Sequence, residues 1–221
     1  MELDCAAHFE RERARYEDGA ARLPGIADKD ERQRQLTRMG NAAGGAGLAL
    51  LMAGRADEAR EWFARAAARY DESFADAPPG SWGRPIGAVK AQLLAGDWAA
   101  ANDAARWTLS TGADASGSPI GRYAACLAQL VVGDDAAAAE LAQTLLGRDD
   151  FPDDVARALV ALAAADATGY EQAVATVLAS FESRDEYLED IPVADTVLVL
   201  QALARPRGLA VEHESPLLPR T

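Results

Sequence analysis

The segment LMAGRADEA at residues 51–59 decides the fold, because it places a glycine turn between an apolar helical stretch and an alanine-rich one. Two later segments repeat this pattern, LAGDWAAA at 94–101 and VVGDDAAA at 131–138, and ADATGYEQA at 165–173 is a degenerate fourth copy. The aligned alanines stand 42, 37 and 35 residues apart, at Ala59, Ala101, Ala138 and Ala173. A period in this range predicts stacked helical hairpins rather than a closed bundle.

The residues that follow the first turn show helical periodicity. Their apolar side chains recur at three- and four-residue spacing and form one stripe, made of Ala59, Trp62, Phe63, Ala66, Ala67 and Tyr70. Alanine, the best helix former, is frequent throughout. The sequence contains no clean period-two run of β-branched or aromatic residues, the pattern that would predict a strand. The sequence therefore predicts an all-α fold, an α-α superhelix of stacked antiparallel helical hairpins.

Proline and glycine divide the chain into helical pieces without an interdomain linker. We predict a single domain over 1–221, with an N-terminal helix and linker at 1–33. About four to five hairpins follow at 34–205, and an irregular tail that contains three prolines closes the chain at 206–221.

The net charge of −13 limits the classes of partner. An acidic chain repels phosphate backbones, and no basic cluster offsets this, so we expect no nucleic-acid partner. Lys29 and Lys90 are the only lysines among 22 basic residues. Few lysines and many acids suit a protein kept soluble in high salt, but the codon bias of a GC-rich genome explains the composition equally well.

Several features predict a cytoplasmic protein. The residues after Met1 are charged and polar rather than apolar, so no signal segment is expected. No apolar run reaches 18 residues, which excludes a membrane span. Cys5 and Cys126 are isolated and far apart, as in a reducing compartment.

The first unit resembles a tetratricopeptide repeat. Six residues fall at the spacing which that repeat uses for close helix contacts and for an inserted aromatic side chain, namely Gly47, Leu50, Gly54, Ala59, Phe63 and Ala66. The resemblance implies that Phe63 fills the groove toward the next hairpin. Later units keep only the turn and one alanine, and Ala105 and Ala142 stand where Phe63 does.

A second resemblance lies at the C-terminus. The segments RDEYLEDIPVADT at 184–196 and LVLQALA at 198–204 are similar to the end of the immunity protein 49 family, all-helical bacterial proteins. The stretches WGR at 82–84, GAVKA at 87–91 and LAGD at 94–97 also resemble that family. This resemblance implies a protein that neutralises a toxin delivered between competing cells.

The residue types needed for catalysis or metal binding are scattered. The two histidines, His8 and His213, lie at opposite ends of the chain, and Cys5 with His8 is the only pair at metal-ligand spacing. The glycine-rich stretch at 40–47 lacks the lysine and the strand of a phosphate-binding loop, which favours tight helix packing. Acid pairs such as Asp134-Asp135 stand where helices begin and are interpreted as caps. We therefore predict no catalytic residue, no cofactor and no metal.

Five residues are candidates for binding a partner, because each falls in or just before the first helix of its hairpin, and first helices line the concave face of such a stack. They are Trp82, Arg84, Lys90, Arg122 and Tyr123. Arginines beside aromatic rings form binding hot spots, and a basic groove would select an acidic group on the partner. The structural alternative is that Arg84 and Arg122 pair with acids of neighbouring units.

The C-terminal segment presents the same choice. Arg184, Glu189, Asp190 and Asp195 are interpreted as an ion-pair lock between the last hairpins rather than as a functional site, with Tyr187 and Leu188 in its packing.

These observations support two functional hypotheses and disfavour a third, an enzyme. The first is a non-enzymatic protein–protein interaction module, in its specific form an immunity protein that binds a toxin domain; the net charge of −13 would steer it toward a basic nuclease. The alternative is a sensor or regulator that binds a peptide or a small ligand in its groove.

Overall fold

The computed structural model describes residues 4–187 and 191–220. Over these residues the chain forms ten α-helices and no β-strand, which confirms the all-α prediction. In chain order they are α1 (Cys5–Arg22), α2 (Lys29–Met52), α3 (Ala56–Phe74), α4 (Gly83–Ala95), α5 (Trp98–Ser110), α6 (Pro119–Val132), α7 (Asp135–Gln143), α8 (Asp153–Ala163), α9 (Ala167–Glu182) and α10 (Asp195–Ala204).

Helices α2 to α9 form four consecutive hairpins, in which each helix packs against the next along the chain. Helix α1 packs on α2, and α2 begins at Lys29, so the boundary predicted between residues 33 and 34 falls inside this helix. Helix α10 breaks the sequential order, because it packs against α4, α8 and α9. It therefore lies across the first-helix face, the side of the stack that is formed by α2, α4, α6 and α8.

Glycine supplies the left-handed residue in the first three turns of the repeat. The φ angles of Gly54, Gly96 and Gly133 are +73°, +70° and +84°, values that glycine adopts without the steric cost of a Cβ. In the second and third turns an aspartate follows and caps the next helix: Asp97 accepts from the backbone N–H of Ala100 at 2.9 Å, and Asp134 from that of Ala137 at 3.0 Å. The geometry thus supports the interpretation of Asp134 as a cap, and Asp97 is a cap that the sequence analysis did not assign.

The fourth turn corrects the predicted register. Its left-handed residue is Ala165, with a φ of +52°, and Asp166 caps the following helix through the N–H of Gly169 at 3.0 Å. Counted from this turn, Tyr170 rather than Ala173 occupies the position of Ala138. The ring of Tyr170 is fully buried. The glycine of this copy serves the helix cap and not the turn.

The small residues of the repeat lie in the core. The alanines at 59, 101 and 138 are buried between helices, as are Phe63 and its counterparts Ala105 and Ala142. Alanine at these positions lets the later helices approach closely, while the first hairpin accommodates a phenyl ring.

The C-terminal residues are irregular but packed. A 3₁₀ turn at Arg205–Arg207 follows α10, and the remaining described residues form no further helix. Leu209, Leu217 and Leu218 are nevertheless buried, and the carbonyl of Leu217 accepts a hydrogen bond from the N–H of Ala194 at 2.9 Å. This segment thus holds the start of α10 in place. Among the described helices, none combines the length and the apolarity needed to cross a membrane.

Candidate functional site

A cavity of about 420 Å³ opens on the first-helix face between α2 and α4, and we call it the α2–α4 cavity. Its volume lies in the range of ligand pockets. Its walls are mostly apolar, with Leu48, Phe63, Tyr70, Trp82, Ile86 and Leu94 as the large side chains. Gly44, Gly45 and Gly87 also line the cavity.

Tyr70 forms one wall and is held between two glycines. A Cβ on Gly40 of α2 would lie 2.8 Å from the ring, and one on Gly87 of α4 would lie 2.6 Å from it. The tyrosine hydroxyl donates to Oδ1 of Asn41 at 2.9 Å. Helices α2 and α4 can therefore flank this ring only because both positions lack a side chain.

Arg84 is the most informative residue of the cavity. Its Nε donates to Oγ1 of Thr37 at 3.1 Å, and one Nη donates to Oε1 of the buried Gln33. Both acceptors are neutral, and no carboxylate lies within ion-pair distance of Arg84 among the residues that the structure describes. Within residues 4–187 and 191–220, the alternative that Arg84 pairs with an acid of a neighbouring unit is therefore wrong. Burial lowers the pKa of Arg84, although a guanidinium stays charged at neutral pH.

Lys90, which also lines the cavity, is by contrast fully paired. Its Nζ donates to Oδ2 of Asp195 on α10, and both side chains are only 17% exposed. Burial alone would lower the pKa of Lys90, but the charge of Asp195 and the hydrogen bond to it outweigh this, so the pKa is raised. Lys90 therefore connects α4 to α10, and its charge is neutralised.

The other candidates lie farther along the first-helix face. Tyr123 packs against Phe151, with ring centroids 5.3 Å apart, and its pKa is raised by burial and by the charge of Asp195. Arg122 donates from Nε to the carbonyl of Ser116 at 3.2 Å and so braces the loop before α6; it has no acidic partner among the described residues. Neither residue lines the cavity.

The structure thus brings together three of the five candidates, Trp82, Arg84 and Lys90, in one cavity. Sequence reasoning did not assign Tyr70, Thr37 or Asp195 to this site. Tyr70 was recognised only as part of an apolar stripe, and no sequence signal connects Thr37 to Arg84, 47 residues away.

The proposed C-terminal lock has a different arrangement. Asp195 pairs with Lys90, while the guanidinium of Arg184 lies 3.8 Å from the ring centroid of Phe181. Tyr187 donates from its hydroxyl to the carbonyl of Phe181 at 3.0 Å. Leu188, Glu189 and Asp190 lie outside the described residues. Arg184 and Asp195 therefore do not pair with each other: Asp195 pairs with Lys90, and Arg184 stacks on Phe181.

Within the described residues, no group of three or more His, Cys, Asp or Glu side chains could hold a metal ion. Comparison of the chain with protein-family models, with curated proteins and with solved structures returned no match. The resemblances to the tetratricopeptide repeat and to immunity protein 49 therefore rest on the sequence motifs alone.

Proposed function

We propose that this chain is a non-enzymatic interaction module that binds a segment of another protein at the α2–α4 cavity. The observation that carries the proposal is Arg84, a half-buried cation in a mostly apolar cavity with no carboxylate partner among the described residues. An arginine beside large apolar side chains is the composition of an interface hot spot. Trp82 supplies an aromatic ring in the same cavity.

Helix α10 would limit the extent of the proposed binding surface. It packs on α4 and α8, and Asp195 reaches Lys90 from it, so the partner would contact the first-helix face mainly between α2 and α4. Arg122 and Tyr123 would then lie at or beyond the edge of this surface.

The specific form of the proposal is an immunity protein that neutralises a toxin domain in the cytoplasm. The net charge of −13 supports it, because an acidic inhibitor associates rapidly with a basic nuclease. Long-range attraction and local docking are separate effects, so a basic partner can still present one acidic group to Arg84.

Capture of a partner from the native lysate, followed by mass spectrometry, tests the proposal. The wild-type chain is compared with Arg84→Glu and with Arg106→Glu, a matched charge reversal at an exposed position of α5. We expect the same partner with the wild type and with Arg106→Glu, and its loss with Arg84→Glu, which should remain folded by circular dichroism although it loses the hydrogen bonds to Thr37 and Gln33. Equal capture by all three proteins contradicts the proposal.

Two further measurements refine it. Arg122→Glu alters a residue outside the cavity, so loss of capture there would extend the surface to α6. Inhibition of the captured protein's toxic activity by the purified chain would establish the immunity role.

The alternative is a regulator that binds a peptide or a small ligand. The cavity volume of about 420 Å³ favours it, because this is the size of a small-molecule pocket. This function would be favoured over the interaction module if no protein is captured from the lysate and a small ligand binds the chain saturably.

A further inference from the structure

The charges of the α2–α4 cavity do not cancel. Lys90 and Asp195 neutralise each other, which leaves the positive charge of Arg84. The chain carries 35 acidic and 22 basic residues, so acids outnumber its cations. Several surface arginines pair with acids, as Arg32 does with Glu72 at 2.7 Å and Arg148 with Asp150 at 2.7 Å, whereas Arg84 and Arg122 have no acidic partner among the described residues.

The hydrogen bonds of Arg84 position its guanidinium without saturating it. Thr37 and Gln33 engage two of its five N–H donors, and Thr37 is itself oriented by donating to the carbonyl of Gln33 at 2.9 Å. The remaining donors have no partner among the residues that the structure describes. They suffice for a bidentate pair with one carboxylate, the strongest complement of a guanidinium.

The surroundings of Arg84 specify what the carboxylate is attached to. Trp82 and Ile86 flank it in sequence and line the same cavity with Leu48, Phe63 and Tyr70. These side chains favour an apolar group, because its burial removes hydrocarbon surface from water. A small inorganic anion would leave them uncovered.

We propose that the α2–α4 cavity binds an acidic residue of the partner that adjoins a bulky apolar residue, with the carboxylate on Arg84 and the apolar side chain against Tyr70 and Trp82. The proposal rests on the proposed function and specifies the chemistry of its partner. The occupant is a polypeptide segment, and a free organic acid is an outcome of the test.

The test uses the full chain and two blocked tripeptides, acetyl-Phe-Glu-Leu-amide and its glutamine counterpart. Binding is followed by NMR through the indole N–H of Trp82, assigned with Trp82→Phe. The indole of Trp98, which does not line the cavity, is the internal control. Titration to about 10 mM detects the weak affinities expected for short peptides.

We expect the glutamate peptide to bind about tenfold or more tightly than the glutamine peptide, because charge-assisted hydrogen bonds exceed neutral ones. Arg84→Gln should abolish this preference, and Arg106→Gln should retain it. Arg84→Lys, which keeps the charge, should retain part of it. In the wild type the preference should decrease as salt is raised, a measurement that needs no variant.

Three outcomes overturn the proposal. They are equal binding of the two peptides, a preference that survives Arg84→Gln, and no saturable shift of the Trp82 indole with either peptide. Phenylacetate binding as tightly as the glutamate peptide would overturn the assignment to a polypeptide. If the chain captures a partner through Arg84 but does not prefer the glutamate peptide, this proposal fails and the proposed function stands. If it prefers the glutamate peptide but captures no partner, only the proposed function is contradicted.

Discussion

Gly47 of α2 lies directly against the ring of Phe63 of α3. A Cβ built on Gly47 would fall 2.7 Å from Cδ1 and Cε1 of that ring, closer than real Cβ contacts come. Phe63 is 1% exposed and also lines the α2–α4 cavity. This contact thus sets the spacing of the first hairpin and forms part of the candidate site.

Removing the ring should destabilise the fold. We expect Phe63→Ala to lower the free energy of unfolding by about 3–5 kcal/mol, the cost of lost burial and of the cavity left behind. Denaturant unfolding measures it. A loss under about 1 kcal/mol, as at an exposed position, would contradict the packing of this residue.

Adding a methyl group at Gly47 should also destabilise. Gly47→Ala places its Cβ into the Phe63 ring, and we expect a loss of about 1–3 kcal/mol from overpacking. Gly44→Ala is the matched control, because nothing lies within 4 Å of a Cβ there. In the same helix it should be neutral or should stabilise by up to about 1 kcal/mol through helix propensity. Equal effects of the two variants would refute the contact.

Ala165→Gly should stabilise the protein. Ala165 adopts a φ of +52°, which strains a residue that has a Cβ. Glycine relieves this strain but adds freedom to the unfolded chain, so we expect a net gain of about 0.5–1 kcal/mol. Ala164→Gly, with a φ of −82°, should destabilise instead. Thermal unfolding of the pair gives the comparison, and a destabilised Ala165→Gly contradicts the left-handed turn.

Breaking the ion pair between α4 and α10 should lower the free energy of unfolding. Lys90→Met leaves Asp195 poorly hydrated and unpaired, and we expect a loss of about 3 kcal/mol. Lys90→Met combined with Asp195→Asn should recover part of it. Arg157→Met, which breaks an exposed pair with Asp153, is the control and should change the unfolding midpoint little. A double variant less stable than Lys90→Met alone would contradict the pairing.

The two cysteines should differ in reactivity and in their contribution to pH dependence. Burial raises the pKa of Cys126 from 9.0 to about 12, so this thiol stays protonated in the folded state, whereas Cys5 is half-buried. At pH 8 we expect a thiol reagent to modify Cys5, and Cys126 only after unfolding. Two thiols labelled equally fast in the folded protein would contradict this.

The same pKa shift predicts alkaline unfolding. Stabilisation by a group with a raised folded pKa is complete below its unfolded pKa and is lost as pH rises, here between about 9 and about 12 for Cys126. Lys90 and Tyr123 have raised pKa values and act in the same direction. Cys126→Ala should therefore flatten the decrease that begins near pH 9. Identical pH profiles would assign the decrease to the other groups.

Much of the fold could be predicted because its signals are local. Gly54, Gly96 and Gly133 mark turns since only glycine adopts a positive φ cheaply, and Asp97 and Asp134 cap helices three residues on. The fourth copy was misaligned because the prediction relied on such a local signal, the position of a glycine. Ala165 adopts the left-handed conformation without glycine, because the surrounding helices α8 and α9 impose it, and local propensity does not report such a constraint.

The sequence by itself determined the helices, their turns and the small residues at which they cross, because these depend on backbone propensity and short-range periodicity. The tertiary structure alone decided the site. It placed Asp195 on Lys90 across 105 residues of chain, which neutralised one of the two cavity cations. It surrounded Arg84, the second, with the neutral Thr37 and Gln33, and no carboxylate of the described residues pairs with it. Electrostatic pairing depends on distance in space, and α10 crosses back to α4 through buried side chains that carry no local pattern.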